Sequence, residues 1–471
     1  MTKRFTIYIV VVFAILLLPS AGLLFAGPSD STGSEKRELA ELPATVDEDG
    51  NLNLAYLSGL GDWFEDHFAG RTAWVTVNAL LRQATVGSTY GDEVIVGKDG
   101  YLFYRGTLDD YFRRDTMTDR ELFITAHNLK MMEDYSRARG AEFAFVIAAN
   151  KNSLYPEYMP DNYIQGEGET NAEALISYLR DAGVTYVDMH EKLRGLGEIY
   201  YKRDSHWTQE GALHGYDAIM EAVGMPVFID YEAVWNTEQH SGDLDQMMLP
   251  EAYEAETAPR RMVHWSYTAD GTPEDQTLVT NNPDGSGTLM MYRDSFGIGL
   301  IPYLSETFQT CTYTQIWPCI MNDVDQTGAN VVILEKVERN LIDLAIRPAI
   351  MRPPETETLP APFRRTDSEL ELRSEGSLVQ IHGSVQPDLV REDTLMYITL
   401  GEGEDAVTYE AFLSTNSDRS GNDCYIYVGR SQLEQKPVLV QLTISGPNGL
   451  TTVCEATLQL EEEDASGTAQ E

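Results

Sequence analysis

Two short strings of sequence hold the residue types of a nucleophilic triad. The string DSHW at 204–207 supplies the carboxylate of Asp204 and the imidazole of His206, and the string RDSFG at 293–297 supplies the hydroxyl of Ser295. A histidine oriented by a carboxylate can take the proton of a serine hydroxyl, which then attacks an acyl carbon. These residue types therefore predict acyl transfer through Ser295.

The spacing of Asp204 and His206 fits this chemistry. Side chains at i and i+2 of an extended segment point the same way, so Asp204 can accept a hydrogen bond from Nδ1 of His206 and leave Nε2 as the base. Trp207 would shield the site from water. Two alternatives remain open: a surface histidine just before a helix capped by Thr208, and a metal site, for which the nearby sequence nominates no third ligand.

Ser295 follows an apolar strand and precedes two glycines, Gly297 and Gly299. A tight turn after a strand exposes a hydroxyl and can aim backbone N–H groups at a developing oxyanion. The alternative is an ordinary helix cap formed by Asp294 and Ser295. No GxSxG elbow is present, which disfavours the α/β-hydrolase fold.

The composition limits the functions that the chain can have. Its 471 residues are enough for two or three domains. The formal net charge of −41 repels nucleic acid, so a nucleic-acid partner is not expected. No nucleotide-binding motif is evident, and we expect neither a cofactor nor a metal. Cys311 with Cys319, and Cys424 with Cys454, allow two local disulfides, although four buried free thiols fit equally well.

Residues 1–26 have the features of a targeting segment. Lys3 and Arg4 precede an uncharged run from Phe5 to Ala26, and a helix of that length would span a bilayer. Because the positive charge lies on the short side, we expect a transmembrane helix that leaves the rest of the chain outside the cytoplasm, at the cell surface or in the periplasm. The alternative is a signal peptide cleaved near residues 20–22.

Between residues 51 and 360, strand and helix signals alternate. A continuous apolar run from Phe143 to Ala149 suits a buried parallel strand, and Thr118 with Glu121 forms a capping box ahead of a helix. Further elements are predicted as a hairpin at 94–104, strands at 184–189, 289–292 and 331–334, and helices at 52–82, 171–182 and from Thr208 to Gly224. This alternation predicts an α/β domain with a mainly parallel sheet covered on both faces.

The pattern changes after the proline-rich segment 352–362. Short strands separated by turn residues are predicted at 378–382, 394–400, 407–413, 425–428 and 438–444. They predict a β-sandwich domain over 361–460. The polar residues 27–50 are predicted to form a flexible linker, and the acidic residues 461–471 a disordered tail.

Several stretches resemble the DHHW family, which is related to the periplasmic proteins that O-acetylate alginate. The segment 200–208, YYKRDSHWT, looks like the family signature, with Ser205 where the family has histidine. The other matching stretches, in family order, are 94–104, 150–157 and 241–244. Together they cover roughly residues 50–345.

The resemblance implies an SGNH-hydrolase-like three-layer domain. In these relatives the triad runs in the order Asp, His, Ser, which resembles a circular permutation of the ordinary SGNH arrangement. The resemblance makes Asp204 the orienting residue, His206 the base and Ser295 the nucleophile. It also brings Asn150 or Lys151 near the active site, with Asn150 as a candidate oxyanion donor, although the end of a strand explains both residues equally well.

Arg293 departs from the family pattern, which has glycine before Asp-Ser. A surface ion pair with Asp294 is the expected role of Arg293, and contact with a substrate oxygen is the alternative.

The leading functional hypothesis is a membrane-anchored, extracytoplasmic O-acetyltransferase that modifies hydroxyls of a cell-envelope or exported polysaccharide. By resemblance, a membrane-bound O-acyltransferase partner would deliver the acetyl group. Two alternatives remain: a carbohydrate acetyl esterase with the same triad, and a non-catalytic polysaccharide-binding or scaffold protein.

Overall fold

The computed structural model describes most of the chain. The described residues are 2–26, 39–46, 52–86, 93–227, 229, 235–261, 264–357, 361–375, 378–415, 419–434, 437–447 and 449–460. The predicted linker over 27–50 lies largely outside them, and the predicted tail over 461–471 lies entirely outside them.

The N-terminal part contains helices and a short hairpin. Its elements are α1 (Thr2–Ala26), α2 (Tyr56–His67), α3 (Arg71–Val86), β1 (Val94–Val96) and β2 (Leu102–Tyr104). The single helix predicted over 52–82 is wrong, because the chain breaks between α2 and α3, where Gly70 takes a left-handed φ of 75°. The hairpin is confirmed: its turn contains Asp99 and Gly100, at φ 54° and 84°.

Helix α1 covers the run in which a transmembrane helix was predicted. Among the described residues, however, no helix has both the length and the apolar composition that crossing a bilayer requires. The structure therefore gives the predicted membrane anchor no support.

The central part of the chain alternates helices and strands. In chain order its elements are α4 (Leu108–Tyr111), α5 (Asp119–Ala138), β3 (Glu142–Ala148), α6 (Lys151–Leu154), α7 (Asn171–Ala182), β4 (Tyr186–Asp188), α8 (Met189–Leu193), α9 (Gln209–Ala222), β5 (Trp235–His240), α10 (Asp243–Met248), β6 (Glu256–Arg261), β7 (Thr268–Ala269), β8 (Thr277–Asn281), β9 (Thr288–Tyr292), α11 (Ile301–Thr307), β10 (Thr310–Thr314), α12 (Asn322–Thr327), β11 (Val331–Val337) and α13 (Asp343–Ile346). The predicted α/β class is confirmed.

The main sheet is mostly parallel. Its seven strands lie in the order β4-β3-β11-β9-β10-β8-β7. Strands β4, β3, β11, β9 and β10 pair in parallel, and β8 pairs antiparallel with β10. The carboxyl ends of the parallel strands therefore meet at one edge, where α/β sheets present functional side chains.

Alternate residues of the central strands pack on opposite faces of the sheet. On β3, Phe143 and Phe145 join the cluster that includes α5 and α7, whereas Ala144 and Val146 join the cluster that includes α9 and α11. Both faces are buried because helices cover both, which is why the strand reads as a continuous apolar run.

The C-terminal part is built almost entirely of strands. Its elements are β12 (Glu355–Thr356), β13 (Glu369–Glu375), β14 (Leu378–Ser384), β15 (Met396–Leu400), β16 (Val407–Glu410), β17 (Phe412–Ser414), β18 (Asp423–Gly429), α14 (Ser431–Glu434), β19 (Val438–Gly446) and β20 (Gly449–Leu458). They form two sheets, β12-β16-β15-β19-β20 and β13-β14-β18-β17. The strand predicted over 407–413 is divided at Ala411, where the chain passes from one sheet to the other.

The β-rich part packs directly on α5. Asn128 donates from Nδ2 to the carbonyl of Leu413 at 2.7 Å and accepts from the Leu413 N–H at 3.1 Å. Arg419 donates to Glu121 at 2.6 Å. One hydrophobic cluster includes residues of both parts, so α5 belongs to the packing of each.

The cysteines resolve an alternative that the sequence left open. All four are free, with Cys311, Cys319 and Cys424 buried and Cys454 partly buried. They are the free thiols of the second alternative rather than two local disulfides.

Candidate active site

The residues 200–207, hereafter the base loop, carry two of the three predicted triad residues. A bridge between Tyr200 and Trp207 closes this loop, and the N–H of Tyr201 donates to the carbonyl of His206 at 3.2 Å. The N-terminal cap of α9 follows, because Thr208 accepts from the N–H of Gly211. The helix-cap interpretation of this string is therefore correct for Thr208, and His206 is displayed just before the cap.

The structure brings Asp204, His206 and Ser295 together in a continuous chain of hydrogen bonds. Nδ1 of His206 lies 2.7 Å from Oδ1 of Asp204, and Nε2 of His206 lies 2.9 Å from Oγ of Ser295. An ionised carboxylate only accepts hydrogen bonds, so Nδ1 carries the proton. In the neutral ring, Nε2 is then the acceptor for the Ser295 hydroxyl, which is the arrangement that a general base needs.

Ser295 and His206 are both partly exposed to solvent. The side chain of His206 is 22% exposed, and Ser295 is partly buried. Asp204, in contrast, is buried. The carboxylate of Asp204 is therefore shielded from solvent, whereas Ser295 is partly exposed to it.

Asp204 is held by more groups than the sequence predicted. Its Oδ1 also accepts from the N–H of His206 at 2.9 Å, and its Oδ2 accepts from Nε2 of His240 at 2.9 Å and from the N–H of Asp243 at 3.1 Å. Burial alone would raise the pKa of Asp204, but the hydrogen bonds from His206 and His240 outweigh it and hold that pKa well below its usual value. The carboxylate is therefore ionised.

Residues 294–297, hereafter the nucleophile turn, are held in place by the side chain of Asp294. Oδ1 of Asp294 accepts from the N–H of Phe296 at 2.9 Å, and Oδ2 accepts from the N–H of Val337 at 2.9 Å. The helix-cap interpretation is thus correct for Asp294. Because Asp294 provides the cap, the hydroxyl of Ser295 is available to bond with His206.

Trp207 lies in the aromatic packing behind the base. It is 2% exposed and contacts Tyr200 and Phe296 edge to face. A Cβ at Gly299 would come within 2.4 Å of Nε1 of Trp207, so this glycine allows the turn after Ser295 to pack on the indole. Trp207 therefore packs against the turn that follows Ser295, and its role in shielding the site from water stays a prediction.

Lys151 lies near Asp204 and contacts the backbone of the base loop. Its buried Nζ donates to the carbonyls of Tyr201, Lys202 and Asp204 at 3.2, 3.0 and 2.6 Å. An ammonium group has three donors, and here three carbonyls of one loop receive them. Lys151 therefore fixes the path of the chain that carries Asp204.

The side chain of Asn150 bonds to protein groups at both ends. Nδ2 donates to Asp110 at 3.2 Å, and Oδ1 accepts from Arg339 at 3.2 Å. The guanidinium of Arg339 in turn lies over the ring of Phe296, 5.6 Å from its centroid. Asn150 is thus linked to the nucleophile turn through Arg339, and its role as an oxyanion donor stays a prediction.

Arg293 does not form the surface ion pair that we expected. It is buried, and its guanidinium donates to the carbonyls of Pro273, Asp275 and Asp294 at 2.5, 3.4 and 3.2 Å. Burial lowers the pKa of Arg293 despite nearby Glu335 and Asp294. The correction has a physical reason: the residue directly follows the central strand β9, so its side chain packs beneath the neighbouring loop and ties that loop to the nucleophile turn.

The structure places a third potential metal ligand, Asp243, beside Asp204 and His206. Side-chain atoms of Asp204, His206 and Asp243 lie within 4.8 Å of one another. These groups already serve as hydrogen-bond partners. Asp204 accepts from Nδ1 of His206, and Asp243 accepts from N and Oγ of Ser205 at 2.8 and 2.6 Å. The hydrogen bonds account for the cluster, and we assign no metal to it.

Sequence reasoning missed His240 and Asp243 as members of the site. The stretch 241–244 was noted for its resemblance, but nothing linked it to Asp204. Gly242 allows the backbone of this stretch to lie close to the base loop, because a Cβ at Gly242 would come within 2.0 Å of the carbonyl oxygen of Arg203. A glycine immediately before a carboxylate, inside a stretch that matches the family, was the available signal.

Comparison with known proteins supports a relationship to acetyltransferases. Residues 94–286 match the family model described as the SGNH hydrolase-like domain of the acetyltransferase AlgX. The predicted relationship is confirmed. The matched region contains Asp204 and His206 and ends before Ser295.

Curated relatives and solved structures are similar to the chain at low identity. The chain is 25% identical over 220 residues to the probable alginate O-acetylase AlgJ of Pseudomonas syringae pv. tomato, covering 45% of this chain and 51% of the relative. It resembles a DHHW family protein from Eubacterium siraeum at 13% identity and a TM-score of 0.41, covering 54% of this chain and 93% of that one. Bacillus cereus PatB1 gives 15% identity and a TM-score of 0.41, covering 53% and 96%. The match spans about half the length of the curated relative.

Proposed function

We propose that this protein is an SGNH-like O-acetyltransferase that works through an acetyl-serine intermediate on Ser295. The observation that carries the proposal is the continuous chain Asp204–His206–Ser295, with bonds of 2.7 and 2.9 Å and a base that reaches solvent. The match to the acetyltransferase family model supports the choice of the acetyl group.

In the first half-reaction, Nε2 of His206 takes the proton of the Ser295 hydroxyl as Oγ attacks the acetyl carbonyl carbon of the donor. The buried, ionised Asp204 stabilises the imidazolium that forms. The tetrahedral intermediate then collapses, the donor oxygen leaves with the proton from His206, and Ser295 carries the acetyl group as an ester.

In the second half-reaction, an acceptor hydroxyl replaces the donor. His206 removes the proton of that hydroxyl, whose oxygen attacks the ester carbon. Collapse of the second tetrahedral intermediate releases the acetylated acceptor and returns the proton to Oγ of Ser295. The same residues therefore serve both steps, with the base and acid roles of His206 exchanged.

The acceptor in this proposal is a neutral polysaccharide of the cell envelope or one that is exported. Relatives named as alginate O-acetylases support a polysaccharide acceptor, and the net charge of −41 disfavours a strongly anionic polymer. We also propose that the chain acts outside the cytoplasm, because Lys3 and Arg4 precede an uncharged run that is typical of export segments. A membrane-bound O-acyltransferase would supply the acetyl group there.

The full chain with p-nitrophenyl acetate tests the chemistry. Ser295→Ala and His206→Ala should each lower turnover by at least about 100-fold. The matched controls Ser177→Ala and His264→Ala change exposed residues outside the site and should leave turnover unchanged. Full turnover in Ser295→Ala would overturn the proposal.

Adding an acceptor oligosaccharide separates transfer from hydrolysis. Acetylated oligosaccharide that appears only with intact Ser295 supports the transferase. Free acetate alone, at a rate that the acceptor does not change, identifies an acetyl esterase. Oligosaccharide binding without any turnover by the wild-type protein identifies a binding or scaffold protein.

A further inference from the structure

His240 approaches the triad from the side opposite to His206. It ends β5 and pairs in register with Glu256 of β6. Its ring stacks on Tyr201 of the base loop, with centroids 3.7 Å apart and planes inclined by 13°. The stacking and the strand pairing together leave the ring little freedom to rotate.

The two oxygens of Asp204 are divided between two histidines. Oδ1 accepts from Nδ1 of His206 at 2.7 Å, and Oδ2 accepts from Nε2 of His240 at 2.9 Å. Because the carboxylate is ionised, Nε2 of His240 carries a proton. Rotation of the carboxylate about its own axis would break both bonds at once, so His240 fixes the direction in which Oδ1 points.

We propose that His240 is a positioning residue, which orients the carboxylate of Asp204 toward His206 and offsets part of its negative charge. The inference rests on the proposed function, since its effect is read through the base His206. His240 touches neither Ser295 nor the reacting atoms and acts only through Asp204.

The charges around His240 favour its cationic form. Burial alone would lower the pKa of His240, but the hydrogen bond and charge of Asp204, with the charges of Glu256 and Glu238, raise it. Glu238 lies on its own strand, Glu256 on the paired strand, and Tyr201 and Asp204 on the base loop, while α10 contributes Asp243 beside Asp204. The cation is therefore present at low pH and is lost as pH rises through the raised pKa.

This charge has a consequence for the base. Below its raised pKa, His240 carries a positive charge 2.9 Å from Oδ2 of Asp204 and offsets part of the negative charge that His206 faces. Removing the cation should move the acidic limb of the kcat/KM profile to higher pH.

Two substitutions separate orientation from charge. Gln in His240→Gln can still donate to Oδ2 of Asp204 but carries no charge, so it should keep kcat/KM at the pH optimum within about threefold of wild type. Its acidic limb should move up by about 1 pH unit, the order of effect for a charge beside a carboxylate. His240→Leu loses the donor as well, and its kcat/KM should fall by about tenfold or more.

The matched control is His264→Gln, which changes an exposed histidine and should leave both the optimum and the limb in place. A merely structural role of His240 would lower activity equally at every pH. An acidic limb of His240→Gln that coincides with that of the wild type would therefore overturn the inference, as would full activity in His240→Leu.

A second readout does not depend on turnover. In the full chain labelled with ¹³C-histidine, the resonance that disappears in His240→Gln reports the titration of His240. Asp204→Asn should lower the midpoint of that titration, because it removes the main charge that raises it. An unchanged midpoint overturns the inference. A wild-type protein without turnover but with the midpoint shift overturns the proposed function alone.

Discussion

Nζ of Lys151 donates a hydrogen bond of 2.6 Å to the main-chain carbonyl of Asp204. Further bonds go to the carbonyls of Tyr201 and Lys202. A buried ammonium that serves three carbonyls of one loop fixes the backbone from which the triad carboxylate projects. The position of Asp204 therefore depends on the first residue of α6, about fifty positions earlier in the chain.

Lys151→Met should weaken both catalysis and folding. The methionine keeps most of the packing volume but donates no hydrogen bond, so three carbonyls lose a buried partner. We expect kcat/KM with p-nitrophenyl acetate to fall by about tenfold or more and the free energy of unfolding to fall by about 3 kcal/mol. Urea denaturation and initial rates measure the two effects. Lys192→Met, which removes an exposed lysine paired with Glu221, serves as the control; similar values for both variants would contradict the role given to Lys151.

Arg293→Ala should loosen the nucleophile turn. The substitution removes the bonds to the carbonyls of Pro273 and Asp275 and leaves a cavity below the turn. We expect the melting temperature to fall by several degrees, with kcat/KM lowered about three- to tenfold. The exposed Arg373 provides the control, as Arg373→Ala. Activity at the wild-type level in a destabilised Arg293→Ala would show that the turn keeps its geometry without this tie.

Glu338→Gln should flatten the dependence of stability on pH. Burial, with the charge of Asp110, raises the pKa of Glu338 to about 8. The folded carboxyl therefore keeps its proton between about pH 4.5 and 8, whereas the unfolded one loses it, so stability falls as pH rises through this window. The slope from one such group is at most about 1.4 kcal/mol per pH unit.

The amide of Glu338→Gln can still accept from the N–H of Asn150 and from Ser153, which lie 2.8 and 2.7 Å from the carboxylate. Urea denaturation at pH 5, 6, 7 and 8 should show a smaller loss of stability in the variant than in the wild type. The exposed Glu142 provides the control, as Glu142→Gln. Parallel curves for wild type and Glu338→Gln would refute the assigned protonation.

Chelation should leave catalysis unchanged. The cluster of Asp204, His206 and Asp243 is explained by its hydrogen bonds, so the reaction as proposed needs no bound cation. Dialysis against EDTA, followed by rate measurement with p-nitrophenyl acetate, checks this expectation. A loss of activity that zinc or another divalent cation restores would contradict this expectation and support a metal bound at the cluster.

The sequence predicted that Asp204, His206 and Ser295 come together, because they lie in strings with a local signature. Asp204 and His206 are two positions apart, and Ser295 follows a strand that the apolar run at 289–292 predicts. The supporting groups lacked such a signature. Lys151 acts on main-chain carbonyls, which every residue possesses, and His240 reaches Asp204 from the two-stranded sheet β5-β6, which was not predicted.

The fold was predictable where burial dictates the pattern. Strand β3 was expected at 143–149 and lies at Glu142–Ala148, because helices cover both of its faces. No helix or strand was predicted between residues 225 and 288. Its strands are short, and β6 (Glu256–Arg261) contains Pro259 and three charged residues, so neither alternation nor an apolar run marks it.

The contact between Asn128 and Leu413 predicts a stability effect at the junction of the two parts. Asn128→Ala would leave the N–H and the carbonyl of Leu413 without their buried partner. We expect a loss of about 2–3 kcal/mol in the free energy of unfolding, with kcat/KM unchanged at low temperature. A thermal scan monitored by circular dichroism, with initial rates at 10 °C, checks both. Unchanged stability would show that the contact is dispensable.

The division of the site between two stretches of chain bears on how its activity can be lost. Asp204, His206, His240 and Asp243 hold one another within about forty positions, whereas Ser295 joins them through a single hydrogen bond. A homologue in which another residue replaces Ser295 would keep all the hydrogen bonds around the carboxylate of Asp204. An inactive paralogue that has turned to binding would therefore retain the histidines and lack only the hydroxyl.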